Sequence, residues 1–267
     1  MCLIIHKPAG VEIPGELIRS AWEDNPDGAG IMYMTKQGPA VHKIMPGDCA
    51  DPARYIETML AGLPDKELGV HFRWKTHGPI TRENTHPFQL PGAGGYLMHN
   101  GVIADKTLGE HYGNVRHAMS DTAFYAMTAL AGAPGANKPE FWEIVGQDVG
   151  SYNKFLVMDA AGKFLRVNEK QWWDYKGLKL SNMMSCPEYQ TTGAGNWRSR
   201  YYDLSDSYPG TLGARGTTET GTGSYKDDAV VIYLTDNERP RKLSRRERKV
   251  LNACLRANSW EPLGRLS

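Results

Sequence analysis

A cysteine at position 2 is the residue near the start of the chain with the greatest capacity for chemistry. If Met1 is removed, the thiol of Cys2 lies beside a free α-amino group. The ordinary pKa values are about 8.5 for the thiol and about 8 for the amine. The amine can take the thiol proton directly or through one water, so that no separate histidine is needed to make a nucleophile. Cysteine is small enough for a methionine aminopeptidase to remove Met1, and this chemistry depends on that removal.

Four further polar motifs follow Cys2 in a fixed order. Taken singly, they are typical of a tight turn, a strand end or a helix cap. They read NPDGAG (25–30), HFRWKTHG (71–78) with ENTHPF (83–88) close behind, MHNG (98–101) and SDT (120–122).

In order and spacing, Cys2, HFRWKTHG, the HPF and HNG triplets and SDT resemble the glutaminase domain of class II (N-terminal nucleophile) glutamine amidotransferases. The stretch from HFRW to MHNGVI is similar to the glutaminase domain of glucosamine-6-phosphate synthases, and RENTHPF to small stand-alone amidotransferase-like hydrolases. The resemblance covers residues 2–182. It implies an α+β fold, a four-layer αββα sandwich of the Ntn-hydrolase type, here with a short C-terminal extension.

The resemblance also implies roles for individual residues. Cys2 would be the nucleophile, with the side-chain amide of Asn100 and the backbone N–H of Gly101 as an oxyanion hole. A site for free glutamine should pair both charges of the amino acid: the planar fork of Arg73 suits the α-carboxylate, and Asp121 would accept the α-ammonium. The other implied substrate-binding residues are Trp74, Thr76 and His77, and the implied supporting residues are Asn25, Asp27, Gly28 and His86.

The implied reaction is cleavage of the side-chain amide of L-glutamine through a γ-glutamyl thioester, with ammonia passed to a separate acceptor enzyme. After the glutaminase region the sequence has no GxGxxG or P-loop motif that would mark a synthase domain. A stand-alone hydrolase acting on the γ-glutamyl amide of a larger compound is therefore an open alternative. A catalytically silent binding module is a second one, against which the retention of Cys2, Arg73 and Asp121 argues.

The composition of the chain and the spacing of its cysteines and histidines limit the other classes of function and location. The formal net charge of +1 creates no global field that would attract nucleic acid or a membrane. The four cysteines are scattered, without zinc-site spacing, and suit a reducing compartment. The histidines form no HxxxH pattern, so we expect neither a metal nor a cofactor. No apolar run reaches signal-peptide or membrane-spanning length, and we place the protein in the cytoplasm.

The chain divides into three predicted parts: an amidotransferase domain over 1–187, a Gly/Thr/Ser-rich linker over 188–226 and a basic extension over 227–267. Residues 236–267 contain nine Lys or Arg and four Asp or Glu. This basic segment is either the solvated face of a helix or a binding surface for an acidic protein or nucleic acid. Predicted strands are 3–6, 30–35, 41–44, 68–74, 95–103, 155–159 and 164–168, and predicted helices are 14–23, 51–63, 120–131 and 139–147, the third capped by Ser120.

Overall fold

The computed structural model describes residues 1–133, 136 and 138–191. Its strands are β1 (Leu3–Lys7), β2 (Ala29–Thr35), β3 (Gly38–Ile44), β4 (Leu68–Phe72), β5 (Phe88–Gln89), β6 (Tyr96–Asn100), β7 (Lys154–Met158), β8 (Phe164–Val167), β9 (Trp173–Tyr175) and β10 (Leu178–Leu180). Its helices are α1 (Gly15–Asp24), α2 (Pro52–Ala61), α3 (Asp105–Leu108), α4 (Glu110–Gly113), α5 (Asp121–Thr128), α6 (Pro139–Val149) and α7 (Pro187–Thr191), with a 3₁₀ turn at Glu169–Gln171.

The strands form two antiparallel sheets. The larger has the order β3-β2-β4-β1-β10-β9, and the smaller has the order β5-β6-β7-β8. Strand β1 lies inside the larger sheet, with Leu3 opposite Phe72 of β4 and Ile5 opposite Leu180 of β10. All five of its residues are buried, because both of its edges are paired and both of its faces are covered.

Alternation along β1 defines the layers. Leu3 and Ile5 point away from the second sheet and pack with Leu17 of α1 and Ile56 of α2. Ile4, on the opposite face, packs between the two sheets, where the cluster also contains Met32, Met98, Leu156 and Met158. The outer face of the smaller sheet packs on the remaining helices through a third cluster that includes Phe155, Tyr112, Phe124 and Trp142. The predicted four-layer αββα sandwich is confirmed.

Each strand and helix predicted over residues 1–187 has a counterpart, with shifted ends. The strand predicted over 229–234 and the helix predicted over 244–257 lie outside the described residues. The strand predicted over 68–74 stops at Phe72. Beyond this point the backbone no longer pairs as a strand, and the N–H of Lys75 donates to the side chain of Asp27. The strand predicted over 95–103 stops at Asn100, because Gly101 has a φ of +148°. The helix predicted to 131 ends at Thr128, while its Ser120 cap is confirmed by the bond that Ser120 Oγ accepts from the N–H of Ala123.

The short strands β9 and β10 were absent from the prediction. Each has three residues, too few for a period-two pattern to be legible beside the turn at Lys176 and Gly177. They close one side of the larger sheet next to β1, so the prediction lacked an immediate neighbour of the proposed nucleophile.

The predicted linker and basic extension fall almost wholly on residues 192–267, outside the described residues, and the domain boundaries and the tail's role stay predictions. Among the helices that the structure describes, none is long and apolar enough to cross a membrane.

Candidate active site

Cys2 lies immediately before β1 and is held by two other parts of the chain. Its sulfur lies 3.3 Å from both the backbone N and the backbone O of Trp74, just beyond the end of β4. Its carbonyl accepts a 2.7 Å bond from Asn182 Nδ2, just beyond the end of β10. The segments that directly follow β4 and β10, the two strands that flank β1, therefore fix the position of Cys2.

Burial and nearby cations act in opposite directions on the Cys2 thiol. Burial raises its pKa, and this effect exceeds the lowering by the N-terminal ammonium, by the N–H of Trp74 and by Arg73. The N-terminal ammonium, here on Met1, has its pKa lowered by burial, against the opposing influence of Cys2, Asp24 and Asp27.

Arg73 is a buried cation whose charge acts on the Cys2 thiol, and only 3% of its surface is exposed. Its Nη1 donates to the carbonyl of Pro79 at 3.1 Å and its Nη2 to the carbonyl of His77 at 3.2 Å. Burial lowers its pKa, and the negative charges of Cys2, Asp27 and Asp121 raise it. These two bonds shape the loop over 74–79 and leave other guanidinium N–H groups for a ligand.

The turn from Asn25 to Gly30 clamps the backbone around Arg73. The N–H of Asp27 donates to the carbonyl of Arg73 at 3.1 Å, and Asp27 Oδ2 accepts from the N–H of Lys75 at 2.7 Å. Asn25 is fully buried and its Nδ2 donates to the carbonyl of Ala21. Gly28 has a φ of +132°, and its carbonyl accepts from the N–H of Arg73 at 2.8 Å. These contacts hold the backbone on both sides of Arg73, and the supporting role of the turn stays a prediction.

Asp121 begins α5 and is buried with a fixed carboxylate. Its Oδ2 accepts from the N–H of Ile103 and its Oδ1 from the N–H of Thr122, both at 2.8 Å. Each carboxylate oxygen has two acceptor positions, so a further donor can still bind. The bond to Ile103 ties Asp121 to the chain that follows Gly101.

Asn100 and Gly101 lie at the end of β6, in the sheet opposite Cys2. Asn100 Nδ2 lies 2.9 Å from Ser181 Oγ. Gly101 has a φ of +148°, and a Cβ at this position would lie 2.2 Å from Asn153 Oδ1, so only glycine fits here.

The remaining predicted residues divide by exposure. Thr76 is exposed, and His77 is partly exposed with its ring edge-on to Tyr112, 6.2 Å between centroids. His86 is buried and packs on His71 at a centroid distance of 3.9 Å, away from the contacts of the thiol. In the part of the chain that is described, no three His, Cys, Asp or Glu side chains converge to hold a metal ion.

Three buried polar residues of the site were not predicted. Ser181 and Asn182 follow β10 and bond to β1 and to Cys2 from the other end of the described chain. Asn84 joins the loop after Arg73 to the start of α5. Asn84 lies inside the quoted ENTHPF motif and could have been singled out there, whereas nothing in the local sequence marks Ser181 or Asn182.

Known proteins resemble this chain over part of its length. It is 36% identical over 104 residues to the glutamine–fructose-6-phosphate aminotransferase [isomerizing] of Geobacillus kaustophilus, a match that covers 38% of this chain and 16% of that enzyme. The corresponding enzyme of Listeria monocytogenes is 33% identical over 136 residues, which cover 49% of this chain and 22% of the relative. The chain is related to the class II glutamine amidotransferases. No protein-family model matches it.

These amidotransferase relatives are much longer than the matched region, which spans less than a quarter of either enzyme. Among solved structures, the glutamine phosphoribosylpyrophosphate amidotransferase of B. subtilis overlaps 72% of this chain and 44% of its own at 15% identity, with a TM-score of 0.45. The relation to class II amidotransferases therefore rests on the sequence matches.

Proposed function

We propose that this class II amidotransferase relative hydrolyses the side-chain amide of glutamine with Cys2 as an N-terminal nucleophile, and supplies ammonia to a separate acceptor enzyme. The observation that carries the proposal is the contact of Cys2 Sγ with the backbone of Trp74, the residue after Arg73, whose buried guanidinium acts electrostatically on the thiol. A thiol in electrostatic reach of one buried cation and one buried carboxylate suits a substrate that carries a carboxylate and an ammonium.

In the proposed reaction the free amine of Cys2 takes the thiol proton, and the sulfur attacks the amide carbon of glutamine. Asn100 and Gly101 donate to the oxyanion that forms. The carbon–nitrogen bond then breaks, the proton passes to the leaving ammonia, and a γ-glutamyl thioester remains on Cys2. Water, deprotonated by the same amine, hydrolyses the thioester to glutamate and restores the thiol. The cycle requires removal of Met1, since an amide nitrogen on Cys2 could not act as the base.

The substrate assignment gives Arg73 the α-carboxylate and Asp121 the α-ammonium, with Thr76 and His77 on the rim. The support is electrostatic: the charges of both Cys2 and Asp121 act on Arg73. Trp74 supports the thiol through its backbone, and Asn25, Asp27, Gly28 and His86 support the surrounding walls. The proposed chemistry needs no metal and no cofactor.

Replacement of the nucleophile tests the function. Cys2→Ala should abolish ammonia release from glutamine, measured with a coupled assay on purified protein. Cys49→Ala is the matched control, since Cys49 is also a partly exposed free cysteine and lies outside the site. Ammonia release by Cys2→Ala at the wild-type rate would refute the proposal.

Covalent labelling tests the same proposal independently. A glutamine-analogue electrophile should add once, on Cys2, to a chain whose intact mass lacks Met1. A chain that retains Met1 and takes no label would instead support the silent binding module. Faster cleavage of larger γ-glutamyl amides than of glutamine would support the stand-alone hydrolase and count against delivery of ammonia to a partner.

A further inference from the structure

Ser181 is a fully buried hydroxyl that lies between the strand of the nucleophile and the proposed oxyanion donor. Its Oγ accepts a 2.9 Å bond from the backbone N–H of Ile4, and its own backbone N–H donates to the carbonyl of Ile4 at 2.9 Å. On its other side, Oγ lies 2.9 Å from the side-chain amide of Asn100. One side chain therefore couples β1, two residues after Cys2, to the end of β6.

The hydrogen bonds around this hydroxyl decide which way the Asn100 amide is turned. With Nδ2 directed at Ser181, Oγ accepts two bonds and donates none among the described residues, and Asn100 Oδ1 is buried without a partner. The oxygen and nitrogen of an amide have nearly the same shape, and their assignment follows from the hydrogen-bond network. With the amide turned by 180°, the Ser181 hydroxyl donates to Oδ1 and still accepts from the N–H of Ile4. The NH₂ group then takes the buried position that has no partner among the described residues.

We propose that Ser181 is a positioning residue that holds the Asn100 amide with its NH₂ group away from β10 and free for the substrate. This inference rests on the proposed function, in which Asn100 donates to the oxyanion. In the opposite orientation Asn100 would present its carbonyl oxygen to a developing negative charge, which would repel it. Ser181 thus supplies the orientation that a freely rotating amide lacks.

The kinetics of Ser181→Ala test this role. The variant should lower kcat by about tenfold to a hundredfold, which is below the loss of about 10²–10³ expected when a donor such as Asn100 is removed by Asn100→Ala. The KM for glutamine should stay within about twofold, because in the proposed site Arg73 and Asp121 hold the charged groups of the substrate, in the ground state and the transition state alike. Ser181→Thr keeps the hydroxyl and should restore most of kcat.

A double-mutant cycle separates positioning from a general structural role. If Ser181 acts through Asn100, then Ser181→Ala should cause no further loss in an Asn100→Ala background. An equal fold-loss in both backgrounds would overturn the inference while the wild-type glutaminase activity still stood. Absence of activity in the wild-type protein would refute the proposed function itself.

Thermal unfolding checks that each variant is folded. Should Ser181→Ala fail to fold, Ser181→Cys replaces it, because a thiol keeps the size of the side chain but donates weakly. The same loss of kcat at constant KM is expected of Ser181→Cys, and a wild-type kcat for it would overturn the inference.

Discussion

Asn84 Oδ1 accepts a 2.7 Å hydrogen bond from the backbone N–H of Ser120. The same side chain donates from Nδ2 to the carbonyl of Ala118 at 3.0 Å, and only 3% of its surface is exposed. Asn84 lies in the segment that follows the Arg73 loop, and Ser120 precedes Asp121. A single amide thus ties the segment after the Arg73 loop to the residue that precedes Asp121.

Asn84→Ala should therefore weaken substrate binding more than it slows chemistry. We expect the KM for glutamine to rise about tenfold, and unfolding to become easier by about 1–3 kcal/mol because buried partners lose their bonds. Asn84→Asp keeps the acceptor for Ser120 and should give a smaller rise in KM. Steady-state kinetics and urea unfolding measure both effects, and a variant with wild-type KM but lower kcat would contradict this role.

Arg73→Lys tests the carboxylate assignment. A lysine cannot donate to Pro79 and His77 and also present a planar pair of N–H groups to a carboxylate, so the KM for glutamine should rise at least about tenfold. A glutamine analogue without the α-carboxylate is the matched substrate. Wild-type and Arg73→Lys proteins should cleave that analogue at similar rates, and a large difference between them would assign Arg73 to the loop alone.

Gly30→Ala tests the close approach of two backbone segments beside the site. A Cβ on Gly30 would lie 1.9 Å from the carbonyl oxygen of His86, which is backbone and cannot rotate away. We expect a loss of about 3 kcal/mol or more in the free energy of unfolding. Gly113→Ala is the control: nothing lies within 4 Å of that position and it ends α4, so its effect should stay within about 0.5 kcal/mol.

Two buried histidines should make stability depend on pH. Burial lowers the pKa of His71 to about 3. Burial also lowers the pKa of His86 well below its usual range, and repulsion from the protonated forms of His71 and His99 and from Arg73 and Lys43 acts in the same direction. The unfolded chain takes up protons on these residues as the pH falls through about 6.5, while the folded chain does not. The contribution of the two histidines to the free energy of unfolding is therefore fully present above about pH 6.5. It falls below that pH by up to about 1.4 kcal/mol per pH unit for each histidine.

Urea unfolding at pH 7.5 and at pH 5.5 measures this dependence. His86→Gln should make the loss of stability on acidification smaller than in the wild-type protein. His111→Gln, which changes an exposed histidine of α4, should leave it unaltered, because that side chain is solvated in both states. Equal pH dependence for wild type and His86→Gln would contradict the assignment.

The individual strands and helices around Arg73 could be predicted from the sequence because they depend on local patterns, whereas the four-layer arrangement was implied by the family resemblance. Consecutive apolar residues indicate β1, alternating residues indicate β4, and Ser120 with Asp121 indicates the start of α5. The ordered motifs also identified Cys2, Arg73 and Asp121, whose charges act on one another in the structure.

The contacts of Ser181 and Asn182 could not be predicted in this way. Ser181 bonds to Ile4 across 177 positions of sequence and Asn182 to Cys2 across 180, and no periodicity records such pairs. The strand that delivers them has three residues and little pattern of its own. His86, which the motif placed in a supporting role, proves to pack on His71, and only the fold brings those two rings together.

The pairing of β1 with β10 also has a consequence for biosynthesis. Once β1 and β4 have been synthesised, β1 can pair along only one of its edges. Its other edge stays unpaired until β10 (Leu178–Leu180) and the two residues after it have left the ribosomal exit tunnel. Hydrolytic competence would thus be acquired late in translation, when the last described strand closes the sheet. A nascent chain arrested before that point would carry its cysteine on an open strand edge, without the serine that bonds to Ile4.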